Sequence, residues 1–171
     1  MTQPAANTYF DLFCDMSAPK ERWYLDGPYA ASGELLGDVL TSGRPYEGAV
    51  PVICSVAEAG PELELTMTEE VVPIVNERVA GIFKAHAGQD AQIIPARVQG
   101  SNTQLFAVNV LASPDCIDQD KKDQGLQIDP ARAGGHAIFR PKGRDGSVIV
   151  AGPLADALRT AGVRCQLTPV S

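Results

Sequence analysis

Two apolar, strand-like runs sit four residues apart: "AQIIPARV" (91–98) and "TQLFAVNVL" (103–111). Between them lies Gln99-Gly100-Ser101-Asn102, a turn-forming stretch. Parallel strands need a crossover of a dozen residues or more, so two strands joined this tightly must run antiparallel. In the second run Phe106, Val108 and Val110 alternate with Leu105, Ala107, Asn109 and Leu111. Apolar residues on both faces predict a strand buried on both sides, leaving its sheet at Ser113-Pro114. Pro95 predicts that the first run lies at a sheet edge or a bulge.

The remaining segments surround this hairpin. "TYFDLFCD" (8–15) reads as a strand, broken at Ser17-Ala18-Pro19-Lys20. "RWYLDG" (22–27) reads as another, closed by an Asp-Gly-Pro turn. "GELLGDVL" (33–40) reads as a short helix with Leu36, Val39 and Leu40 on one face. "AVPVICSV" (49–56) is rich in β-branched residues and reads as a strand. "ELELTMT" (62–68) alternates, with Leu63, Leu65 and Met67 inward and Glu62, Glu64, Thr66 and Thr68 toward solvent. The clearest helix covers 77–87. Asn76 is its N-cap, Val79, Ile82, Phe83 and His86 form its apolar face, and Gly88 its stop. "HAIFRP" (136–141) and "SVIVAG" (147–152) predict a second hairpin. Helix 153–162 and strand 163–167 close the chain. The stretch 112–130 reads as an irregular surface loop. Strands dominate without regular strand–helix alternation. The expected fold is therefore one α+β domain, a mostly antiparallel sheet with two or three short helices.

A chain of 171 residues can bury a full core without metals or disulfides. No apolar run approaches membrane-spanning length. The N-terminus lacks a basic start and a long apolar core, so a cytoplasmic address is expected, with Cys14, Cys54, Cys116 and Cys165 as free thiols. The net charge of −7 is unevenly spread. Residues 1–77 hold three basic and thirteen acidic side chains; residues 78–171 hold eleven basic and eight acidic. Such a field repels nucleic acid and attracts basic partners. Glu47, Glu58, Glu62, Glu64, Glu69 and Glu70 are the expected partner-binding residues.

Catalytic signatures are weak. A cysteine nucleophile needs a base and a cationic surround. Cys116 with His136 is the candidate pair, but Asp115 and Asp118 oppose thiolate formation. No closely spaced Cys/His set predicts zinc, and Asp115, Asp118, Asp120 and Asp123 lack the order of a calcium loop. Neither phosphate-binding glycine loops nor a G-x-S-x-G elbow occurs. Arg140, Lys142 and Arg144 read as solvated residues of a hairpin tip. No cofactor or metal is expected.

An ordered series of segments carries a resemblance: "RWYLDG", "LTSGRPYEGAVPV", "VVPIVNERVAGIF", "AQIIPARV", "FAVNVLASPDCID", "IDPARAGGHAIFR" and "LADALRTAGVRCQLTPV". The series resembles a family of bacterial immunity proteins best known from myxobacterial kin-discrimination systems. It covers about Trp23 to Val170. The 119–126 stretch is shorter than the insert many relatives carry there. The resemblance implies stoichiometric inhibition of a cognate polymorphic toxin, in some cases a nuclease with a basic surface, and no catalysis. A cysteine enzyme using Cys116 and His136 is the rival reading. The third is a homo-oligomeric regulator pairing through an exposed edge near Pro95.

Overall fold

The computed structural model describes residues 8–17 and 23–171. The expected break at 17–20 and the start of a strand at Arg22 lie largely outside these. Among the described residues ten strands form two sheets. One holds β2 (Tyr24–Tyr29), β3 (Val52–Glu58), β6 (Ala91–Val98), β7 (Leu105–Val110), β5 (Pro73–Asn76) and β4 (Leu65–Met67), in that spatial order. The other holds β10 (Gln166–Pro169), β1 (Tyr9–Phe13), β9 (Ile149–Ala151) and β8 (Ile138–Phe139). Every strand pair is antiparallel except β3–β6. With helices α1 (Gly37–Leu40), α2 (Glu77–Ala87) and α3 (Gly152–Thr160), the expected α+β class holds.

The six-stranded sheet closes on itself. Leu25 of β2 and Thr68, just past β4, form a parallel bridge, and Glu69 N–H donates to Leu25 C=O at 2.9 Å. Closure removes two edges that would otherwise invite pairing. The interior is filled by Leu25, Val52, Cys54, Ile74, Ile94, Ala96, Val98, Leu105 and Ala107, with Leu36 and Leu40 packed against them. The outer face of β4, β5 and β7 packs on α2, α3 and one face of the four-stranded sheet, through Met67, Val75, Val108, Phe83, Leu154, Phe10 and Val150.

Local signals predict local elements well. Asn76 caps α2, its Oδ1 accepting from Val79 N–H at 3.0 Å. Strands β6 and β7 pair in the expected hairpin, from Ala91 opposite Val110 to Ala96 opposite Leu105. Several expectations are corrected. Pro95 is not on an edge, because β6 lies between β3 and β7; its missing N–H is tolerated because the β3 ladder starts only at Ala96. His86 is exposed, and α2 buries Val79, Ala80, Phe83 and Ala87. Helix 33–40 shrinks to one turn with Val39 38% exposed. Asp26-Gly27-Pro28 does not end β2. It forms an irregularity within it, where Gly27 has φ 115° and an added Cβ would meet Ile53 C=O at 3.1 Å. Strand β10 begins three residues later than the expected 163, and β5, "PIVN", is an additional strand. The stretch 112–130 does more than loop: Ala112, Cys116 and Ile128, with Ala133 just beyond it, cover the second face of the four-stranded sheet, against Tyr9, Phe139 and Ile149.

Asp11 sits mid-strand on β1, and burial raises its carboxyl pKa while the Arg144 charge acts the other way. The folded chain therefore favours the neutral acid. The resulting cost is absent below the unfolded value, about pH 4, and grows as pH rises through the folded one. Asp11→Asn should raise the melting temperature at neutral pH, and the difference should vanish below about pH 4. Melting curves across pH check this.

Candidate functional site

Residues 68–72, "TEEVV", connect β4 to β5. Thr68 N–H donates to Val72 C=O (3.1 Å), Val71 N–H to Thr68 C=O (2.9 Å), and Val72 N–H to Thr68 Oγ1 (3.2 Å). Val71 carries φ 57°, the one positive φ at a non-glycine among the described residues. A β-branched side chain disfavours that region, so the surroundings must impose it. Part of that constraint is Arg140, which is 1% exposed. Its Nη2 donates to Val71 C=O and its Nη1 to Asp145 C=O, each at 2.7 Å, while Nε has no partner among the described residues. Burial lowers its pKa to about 10, which leaves it charged at neutral pH. Arg140 is thus a buried tether for the turn and not a solvated hairpin tip.

The turn presents Glu69 and Glu70. Beside them on β2, Asp26 accepts from the Tyr29 hydroxyl at 2.9 and 3.0 Å. The Tyr29 pKa is raised, first by that hydrogen bond, then by slight burial and by the charges of Asp26, Glu69 and Glu70. One carboxylate therefore bonds this phenol, and the charges of two more act on it from the neighbouring turn. Glu70 also lies against α1: a Cβ on Gly37 would fall 2.5 Å from its carboxylate. Next to Tyr29, the outer face of β2, β3 and β6 holds a half-open hollow of about 520 Å³, lined partly by Ile53, Ser55, Arg97 and Gln99. The β2–β3 connection at this same end exposes Leu35 (44%) and Val50 (53%).

Strand directions divide the six expected glutamates between opposite ends of the barrel. Glu47, in the β2–β3 connection, shares an end with Glu69 and Glu70. Glu58, Glu62 and Glu64 lie at the other end, on and around the β3–β4 connection. There the carboxylates are engaged locally. Glu64 accepts from Arg78 Nε (2.7 Å) and Nη2 (2.5 Å) and from Asn76, while Glu62 accepts from Thr103 Oγ1 at 2.7 Å. These bonds hold both pKa values down, Arg78 leading at Glu64 and Ser101 at Glu62. The expected solvent face of 62–68 is corrected too. Thr66 and Thr68 are fully buried, and the Thr66 hydroxyl donates to Trp23 C=O.

Cys116 is shut away from solvent, and His136 is engaged by a carboxylate. Cys116 is 0% exposed, and its pKa of about 11 comes mainly from burial, with Asp115 and Asp129 adding to it and Arg132 opposing. His136 Nδ1 lies 2.8 Å from Asp90 Oδ1, and Asp90 Oδ2 also accepts from Ala137 N–H at 2.7 Å. Among the described residues no group of three or more His, Cys, Asp or Glu side chains is placed to hold a metal ion.

Asp26, Tyr29 and Arg140 are site residues that sequence reasoning passes over. Asp26 looks like a turn former in "DGP", and Arg140 like a surface charge. No helix among the described residues is long and apolar enough to cross a membrane. No protein-family model matches the chain, and no curated protein matches it in sequence.

Proposed function

We propose that this protein is an immunity protein: a cytoplasmic binding inhibitor that holds a basic toxin, of which a nuclease is the leading candidate, one copy to one copy. The observation that carries this reading is the tethered Thr68–Val72 turn, which presents Glu69 and Glu70 beside Asp26 with exposed Leu35 and Val50 at the same end. Apolar contact area with a charged surround is the usual anatomy of a protein interface. Carboxylates on a fixed turn need little further ordering on binding, which favours affinity. A net −10 over residues 1–77 would speed encounter with a cationic partner and make it salt-sensitive. The resemblance to toxin-immunity proteins supports the same reading. The expected result is a one-to-one complex with the toxin domain encoded beside it, measured by size exclusion with light scattering. Separate elution at low salt would reject the proposal.

A further inference from the structure

Strands β1 and β10 bring the two ends of the described chain together, and their register continues past the ladder. Phe10 opposes Pro169, and Phe13 opposes Gln166. One step further, Cys14 opposes Cys165. Just beyond, Arg164 Nη2 and Nε reach Asp15 Oδ2 at 2.8 and 3.1 Å, which keeps the two strand ends side by side. Tyr9 C=O accepts from Val170 N–H, so odd residues of β1 bond to β10, while Leu12 N–H donates to Val148, so even residues bond toward β9. Continued by one position, this ladder makes Cys14 and Cys165 a non-hydrogen-bonded pair, a type in which Cα atoms sit about 4.5 Å apart. That separation falls within the range disulfides span, about 4.4–6.8 Å. Both side chains belong to the same face, packed on the core that includes Phe10, Leu12 and Leu158.

We propose that Cys14 and Cys165 are a disulfide site, closed by exchange with a small-molecule disulfide of the glutathione class. Both are thiols in this structure. Cys165 is part-exposed and lines a surface hollow with Asp15, Met16 and Gln166. Its thiolate attacks glutathione disulfide, forming a mixed disulfide and expelling one glutathione thiolate. Cys14 then loses its proton to solvent and attacks the Cys165 sulfur, expelling the second. Two protein thiols lose two electrons and two protons, and one glutathione disulfide becomes two glutathiones. Burial and the Asp15 carboxylate push the Cys165 thiol up to about 11 against the pull of Arg159, so closure is slow at neutral pH and quickens in alkali. Cys14 is itself buried and is reached only through Cys165 beside it, whereas Cys54 and Cys116 lie in the two other core clusters, away from this pair, and stay out of the exchange.

The bond joins the first strand to the last and closes nearly the whole chain into a loop, which constrains the unfolded state strongly. The test incubates the full chain with glutathione disulfide, alkylates the remaining thiols and maps peptides without reduction. The expected result is a Cys14–Cys165 linked peptide, with a melting temperature about 10 °C higher that dithiothreitol reverses and Cys165→Ser lacks. Four alkylated cysteines after treatment would overturn the proposal. So would a persistent Cys165–glutathione adduct or a Cys165 link between two copies.

Discussion

Arg140→Ala is expected to lower unfolding free energy by about 3–5 kcal/mol, a large share of the roughly 5–15 kcal/mol that holds a domain together. The deletion leaves a void where a fully buried side chain packs, and it removes the donors to the Val71 and Asp145 carbonyls. Relief of the buried charge offsets part of this, since among the described residues the guanidinium bonds only to carbonyls and its Nε has no partner. Arg140→Lys keeps the charge but loses the two-ended bridge, and should fall between. Lys142→Ala, two residues on and exposed, should change stability by less than about 0.5 kcal/mol. Chemical denaturation ranks the three. The same deletion frees the Thr68–Val72 turn from its tether, so partner affinity should fall even where the fold persists.

The second large effect is specific to one end of the barrel. Combining Asp26→Asn, Glu69→Lys and Glu70→Gln should weaken toxin binding about 100-fold or more and flatten its salt dependence. Glu62→Lys with Glu64→Lys, at the opposite end, should change affinity less than about 3-fold. Its cost falls on the solvent-screened Glu64–Arg78 pair, which contributes little to stability. Calorimetric titration of both variants separates the ends. Equal losses from the two would mean that charge acts globally and not through the tethered turn.

What was legible in the sequence was mostly local. Asn76 and the following apolar period give α2, and the 99–102 turn gives the β6–β7 hairpin, because both depend on neighbours in the chain. Barrel closure was hidden, since the β3–β6 pairing and the Leu25–Thr68 bridge join segments that no short-range signal connects. Strand β4 falls within the alternating 62–68 stretch and was legible, whereas β5, four residues long, is too short for its periodicity to be read. The acidic composition of 47–77 was visible, but not its division between two ends, which strand direction decides. Arg140 and Val71 could not be paired in advance. The first looks like a surface charge, and the second occupies a left-handed turn position where glycine would have been the usual marker. The opposition of Cys14 and Cys165 likewise exists only once the register of β1 and β10 is known.

The central claim is inhibition by binding, and titration of toxin activity tests it most directly. Increasing amounts of this protein are added to a fixed amount of the toxin domain well above the dissociation constant, and residual toxin activity is followed. Activity should fall linearly to zero at one equivalent. Abolition far below one equivalent, deepening with incubation time, would contradict the account and point to catalysis.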